Sequence, residues 1–188
     1  MNDLIQYIIS ADVRLFLFLN KFHNAFFDVF MYGVSAKYTW LPLYIYLFVI
    51  ILKKFKFKSS VIILISIVFL IALSDQSSVH IFKFTFLRFR PCYNPSISDL
   101  VHTVKLPGGK YGFISSHASN AFALAFFIHL LFRRRNLSVF MFLWALLTAY
   151  SRIYLGVHYP ADVFFGALWG MLLAYSVYFV IKNMILEK

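Results

Sequence analysis

The 188-residue sequence predicts an all-α fold, a polytopic membrane helix bundle of about six transmembrane helices, in a single domain covering residues 1–188. Three observations carry this. Hydrophobic residues make up 62% of the chain, with 24 Phe and 12 Tyr, and only 13% is charged, which is more apolar surface than a soluble chain of this length can bury. The apolar residues also gather in several long runs. Finally, the formal net charge of +11 sits in residues that flank those runs, where it reads as topology signals and an anion site. A soluble basic face is absent from this pattern, which argues against nucleic acid as a partner. The single cysteine, Cys92, rules out an internal disulfide. Asp3, Asp12 and Arg14 interrupt the first apolar stretch, so no cleavable leader is expected and insertion would rest on the spans.

Residues 1–35 predict helix, although Asn20, Lys21, His23, Asn24 and Asp28 break up a Phe-rich segment. An interfacial helix that turns into a first span fits them, because polar groups at full bilayer depth are costly unless they face protein. Trp40 to Leu52, extended back to Ala36, gives a second span, with Tyr38 and Trp40 suited to an interface belt. The cluster Lys53, Lys54, Lys56 and Lys58 follows, and the positive-inside rule assigns it to the cytoplasm. Val61 to Leu73 is unbroken hydrocarbon, but the same helix runs on through Ser74, Asp75, Gln76, Ser77, Ser78 and His80 to Lys83. That polar half cannot face lipid, so Asp75 and His80 are expected to line the bundle interior or a cavity near the site. A satisfied structural hydrogen bond is the competing explanation.

Residues 91–116 hold Pro91, Asn94, Pro95, Pro107, Gly108, Gly109 and Gly112, the composition of an extramembrane loop. Ser115-Ser116-His117 then precedes an apolar run, Ala118 to Phe132, and a serine in that position predicts a helix N-cap. Free N–H groups and the positive end of the helix dipole invite an anion there, with His117 beside them. Taken alone, the same residues fit a capped helix with an incidental histidine. Arg133-Arg134-Arg135 closes that run, Leu137 to Leu155 returns, and Val163 to Ile181 is the last span. Gly166 and Gly170 form a small-xxx-small pair that would admit a neighbouring helix closely.

If both basic loops, 53–58 and 133–135, are cytoplasmic, then Lys83, the 91–116 loop, His117 and residues 151–162 emerge together on the non-cytoplasmic face. The last of these stretches carries the most chemistry. His158 and Asp162 are four residues apart, so a helix opening near Pro160 puts the carboxylate beside the imidazole on one face. A carboxylate that fixes one ring nitrogen leaves the other free and more basic, which suits a nucleophile or a proton shuttle. Arg152 can grip two phosphate oxygens with its planar fork, and Ser151 adds a hydroxyl donor. An ion pair at a helix end on the membrane surface is the blander explanation of the same residues.

Lys83 through Arg88 to Arg90-Pro91, then Ser115-Ser116-His117, then Ser151-Arg152 through His158 to Asp162, occur in that order over about 80 residues. This resembles the type 2 phosphatidic acid phosphatase (PAP2) superfamily, related to vanadium haloperoxidases. The signature there is a Lys six residues before Arg-Pro, a Pro-Ser-Gly-His, and a Ser-Arg followed by His and Asp. The first and third parts match; the middle part departs, with Ile114 for Pro and Ser116 for Gly. The resemblance implies catalytic residues His158, His117 and Asp162. His158 would attack phosphorus to form a phosphohistidine, Asp162 would hold it, and His117 would protonate the leaving oxygen and then activate water. Lys83, Arg90, Ser115, Ser116 and Arg152 would bind the phosphoryl group. Fixed cations and N–H donors can replace a metal in phosphoryl transfer, so neither metal nor cofactor is expected. Arg88 matches no position of the signature and is left to substrate or topology.

A site at the mouth of a lipid-embedded bundle predicts a membrane lipid phosphate as substrate and the bilayer as partner. Undecaprenyl diphosphate is the first expectation, in a bacterial inner membrane with the active site facing the periplasm or exterior. Lipid A phosphate and phosphatidylglycerol phosphate or phosphatidate follow. From other classes, an anion transporter using Asp75 and His80, or a lipid-binding scaffold, fits the same composition.

Overall fold

The computed structural model describes residues 2–186; Met1, Glu187 and Lys188 lie outside the described residues. Helix α1 (Asn2–Asn20) stops at a polar break, and α2 (Ala25–Ser35) starts on Asn24, whose side chain accepts from the Phe27 N–H at 2.9 Å. A 3₁₀ turn over Lys37–Trp40 leads into α3 (Leu41–Lys54), which carries a proline in its first turn. Helix α4 (Phe57–Ser77) continues through a π-helical stretch, Ser78–Lys83, into a last turn, α5 (Phe84–Phe86). Leu87 then takes a left-handed conformation, φ 46°, and breaks the chain into the loop. Ser115 caps α6 (Ser116–Phe132), accepting from the Ala118 N–H at 3.4 Å, so the predicted cap is present. The chain returns as α7 (Arg135–Tyr154) and leaves as α8 (Pro160–Leu186), which opens on Pro160 as expected.

Among the described residues, three stretches are long and apolar enough to cross a membrane: Phe57–Phe86, Arg135–Tyr154 and Pro160–Ile185. Helices α2 and α3 pass the same test only as a pair bent by 69°, one broken span. Helix α6 has 17 residues, at the short limit for a span, and nearly all its apolar side chains face protein. Helix α1 leaves Leu4, Ile5, Ile8, Ile9, Leu15 and Phe18 uncovered and buries Phe16, the pattern of a helix lying on the bundle with an apolar outer edge. Residues 2–35 therefore form two helices of different character where the sequence suggested, over residues 1–35, one interfacial helix running into a span.

The core is built around α6, packed between α4, α7 and α8. Its contact with α8 depends on the two glycines. A β-carbon at Gly166 would lie 2.6 Å from the Ser115 carbonyl oxygen, and one at Gly170 would overlap the Ser119 carbonyl, backbone that cannot swing away. Gly170→Val is expected to destabilise the protein by more than ~3 kcal/mol, beyond ordinary overpacking, read as a collapsed melting temperature in detergent. An unchanged melting temperature would mean that α6 and α8 do not pack this way.

The polar half of α4 meets the bundle through its serines. The Ser74 hydroxyl lies 2.6 Å from that of Ser119, and Ser77 accepts from the Trp169 indole N–H at 2.8 Å. His80, expected inside, is exposed and rests on the Phe84 ring, 5.7 Å between centroids. The π stretch explains the difference: it shifts the helical phase just before Lys83, and Lys83 takes the inward position.

Candidate active site

The three sequence clusters meet at one end of the bundle. Lys83 Nζ donates to Ser116 Oγ at 2.7 Å, Arg90 Nη1 lies 2.8 Å from His158 Nε2, and the Ser115 N–H donates to the Asp162 carbonyl at 2.9 Å. At the opposite end the two basic loops also meet, where Lys54 Nζ donates to the Leu131 carbonyl at 2.8 Å.

His158 stands in the short α7–α8 connection and is 2% exposed. Its Nδ1 faces Asp162 Oδ2 at 3.4 Å, one helical turn on, as the four-residue spacing required. Asp162 is fully buried; Oδ2 accepts from the Tyr159 N–H at 3.0 Å and Oδ1 from Arg88 Nη1 at 2.7 Å. Burial, together with the cations Arg90, Arg152 and Lys83, pushes His158 well below its ordinary pKa, so the ring stays neutral and Nε2 keeps a lone pair. Gly112 backs this dyad. A β-carbon there would sit 3.1 Å from Arg90 Cγ and 3.2 Å from Asp162 Oδ2, so a side chain would press on both the arginine and the carboxylate.

Arg90 is fixed from three directions, its Nε donating to the Gly109 carbonyl at 2.8 Å and Nη1 to the Val157 carbonyl at 3.0 Å besides the His158 contact. Arg152 reaches Ser35 Oγ through Nη1 and leaves Nε buried with no protein partner. His117 lies in the first turn of α6 and is half-buried. These arginines, Lys83 and the α6 N-terminus form a cationic cradle around His158, which is what a tetrahedral anion needs. Ser116, where the signature has Gly, binds Lys83 through its hydroxyl, and Ile114, where it has Pro, is fully buried. Ser151 does not add a donor to the cradle; its hydroxyl donates to the Thr148 carbonyl of its own helix at 2.6 Å. Burial pushes the Cys92 thiol above its ordinary pKa, so it supplies no thiolate.

Two residues join the site that the sequence did not assign to it. Arg88 bridges Asp162 and, through Nη2, Asp12 Oδ2 at 2.6 Å, while its guanidinium lies 4.1 Å above the Tyr159 ring. Burial opposes that charge, but Asp162 and Asp12 outweigh it and raise the Arg88 pKa. Asp12, on α1, also accepts from the Ala161 N–H at 2.9 Å and so caps α8 from a distant part of the chain. The available signal was scarcity: with only 7 acidic residues, an Asp inside an apolar helix is a strong claim for a buried partner. On the other side, Asn20 clamps the loop, accepting from the His102 N–H at 2.8 Å and donating to the Tyr154 carbonyl at 2.8 Å. Among the described residues no three His, Cys, Asp or Glu side chains gather as a metal site.

The sequence profile of the PAP2 superfamily matches residues 60–185. The chain is 39% identical to a lipid A 4'-phosphatase of Bacteroides thetaiotaomicron over 94% of its own length and 80% of the relative's. It is 38% identical to one of Porphyromonas gingivalis, over 92% and 74%. A match to an undecaprenyl-diphosphatase of Bacillus subtilis, at 37% identity, covers 42% of this chain and 39% of that one. Among solved structures, LpxE of Aquifex aeolicus superposes with a TM-score of 0.64 at 25% identity, covering 88% of this chain and 93% of that one. The PAP2-type phosphatidylglycerolphosphate phosphatase of Bacillus subtilis shares the fold, with a TM-score of 0.71 at 21% identity over 97% and 90%. A profile match over two thirds of the chain, and relatives more than a third identical over nearly all of it, make this protein a membrane phosphatase of the PAP2 superfamily.

Proposed function

We propose that this protein removes the 4'-phosphate of lipid A, at the outer face of a bacterial inner membrane, through a phosphohistidine on His158. The observation that carries the chemistry is a buried, neutral imidazole with Nδ1 turned to a carboxylate and Nε2 among fixed cations. Its lone pair forms the N–P bond as the P–O bond to the sugar breaks, and His117, which takes up a proton once the bound phosphate offsets the surrounding cations, gives that proton to the departing oxygen. Water then attacks phosphorus, His117 accepts its proton, and the P–N bond breaks to release inorganic phosphate. Lys83, Arg90, Arg152, Ser115 and Ser116 hold the phosphoryl oxygens throughout, stabilising charge that grows in the transition state.

The substrate assignment departs from the first expectation, undecaprenyl diphosphate. The two relatives that match more than nine tenths of this chain are lipid A 4'-phosphatases by name, whereas the undecaprenyl-diphosphatase match spans less than half of either chain. Two basic loops meeting at the far end of the bundle support an outward-facing site under the positive-inside rule. Detergent-purified protein, given lipid A, undecaprenyl diphosphate, phosphatidylglycerol phosphate and phosphatidate, is expected to release phosphate fastest from lipid A, at a rate EDTA does not alter. Faster release from undecaprenyl diphosphate would overturn the substrate assignment, and loss of activity in EDTA would overturn the metal-free mechanism.

A further inference from the structure

One face of α7 continues the phosphate cradle into the membrane. Arg152, Thr148 and Trp144 follow at four-residue intervals, so they stack along a single side of the helix. That side looks onto the bend between α2 and α3, because Arg152 bonds Ser35 and the Trp144 ring packs against that of Trp40, 5.8 Å between centroids. All three carry a buried polar atom with no protein partner: Arg152 Nε, Thr148 Oγ1 and Trp144 Nε1. On α6, one turn deeper than His117, Asn120 Oδ1 is buried and unpartnered as well. Thr148 and Trp144 are 7% and 6% exposed, and orphaned polar groups buried to that degree cost folding free energy unless something else bonds them.

We infer that this face is a head-group subsite for the sugar of a glycolipid phosphate. The assignment rests on the lipid A reading and extends it to the residues that select the head group. Trp144 Nε1 and Arg152 Nε can only donate, Asn120 Oδ1 can only accept, and Thr148 can do either, which matches a ring bearing hydroxyl and amide oxygens. An isoprenoid chain bonded directly to a diphosphate offers none of these partners. Further along α7, Phe140 and Leu137 line a groove of about 940 Å³ that ends on Arg134 and Arg135 of the far basic loop, so the subsite is confined to the stretch between Arg152 and Trp144. From the cradle inward that stretch presents a cationic and then a neutral polar zone, the order in which phosphate and sugar follow one another in lipid A.

The test measures KM for lipid A against the inhibition constant of inorganic phosphate, which probes the cradle alone. In Thr148→Val, close to isosteric, the ratio of the two is expected to rise about tenfold, and Thr148→Ser is expected to restore it. Trp144→Phe serves as a second variant that keeps the ring stack and removes only the N–H, with the same expected rise. If both constants move together, or neither moves, the orphaned groups bond only water or packing and the subsite is overturned. Wild-type protein with no activity on lipid A would instead sink the substrate assignment itself, and the sugar subsite with it.

Discussion

His158→Ala is expected to lower phosphate release by at least ~10⁴-fold while leaving lipid binding and the melting temperature nearly intact. Among the described residues the imidazole is the group at the centre of the cradle placed to attack, since Arg90, Arg152 and Lys83 are donors and Asp162 is committed to Arg88 and the Tyr159 N–H. Its Nε2 lone pair is held by Arg90 Nη1 at 2.8 Å until an incoming phosphoryl group takes that arginine's N–H. Without it the cationic ring can still bind phosphate and polarise water, which sets the residual rate. Protein quenched in alkaline detergent should carry base-stable, acid-labile phosphate in the wild type and none in the variant. The pH dependence supplies a second readout. The folded pKa of His158 lies below its ordinary value near 6.5, so the nucleophilic form persists as pH falls through 6.5, and kcat/KM of the free enzyme should not bend there on its account. The same displacement costs stability in acid: below about pH 6.5 the unfolded chain gains a proton that the buried ring refuses. A variant retaining a tenth of wild-type turnover would remove His158 from the reaction.

Much of this site was legible because its chemistry lies in short stretches. His158 and Asp162 are one helical turn apart, and Ser115 caps the helix that carries His117, so local spacing implies local geometry. The long helices were legible for the same reason, each being one apolar run. What escaped were links whose partners are far apart in sequence or whose direction depends on helical phase. Asp12 lies 150 residues before Asp162, and nothing in its neighbours says that α1 folds back across the start of α8. His80 turned outward because the π stretch added a residue to one turn, an insertion that a 3.6-residue pattern does not display. The 69° bend between α2 and α3 follows Ser35 with no proline at the break, and the Arg152 bond to Ser35 that spans it is tertiary. Ser151 illustrates the opposite error: its place beside Arg152 suggested a phosphate donor, but on α7 its hydroxyl falls within reach of its own backbone.

Breaking the Arg88 bridge should slow the enzyme more than any change that does not touch substrate. Arg88→Ala leaves Asp162, fully buried, without the arginine that bonds it directly, and such a loss typically costs about 3–5 kcal/mol. The carboxylate then takes a proton or swings from His158, and either outcome turns the ring out of its fixed tautomer; kcat is expected to fall by about 10²–10³-fold. Arg88→Lys keeps the charge and loses the fork that reaches two acids at once, so it should recover only part of the rate. Asp12→Ala removes both the far anchor of Arg88 and the cap on the Ala161 N–H, worth about 1 kcal/mol on its own, and is expected to cost about tenfold in kcat. In every one of these variants KM for lipid A should change by less than kcat, because the cradle of Arg90, Arg152 and Lys83 is left in place. A rise in KM at constant kcat would put Arg88 on the substrate instead. The grading matters as much as the size. If Asp12 acts through Arg88, then Asp12→Ala made in the Arg88→Ala background should lose only the cap and no further rate, and α1 is part of the catalytic machinery through a single ion pair.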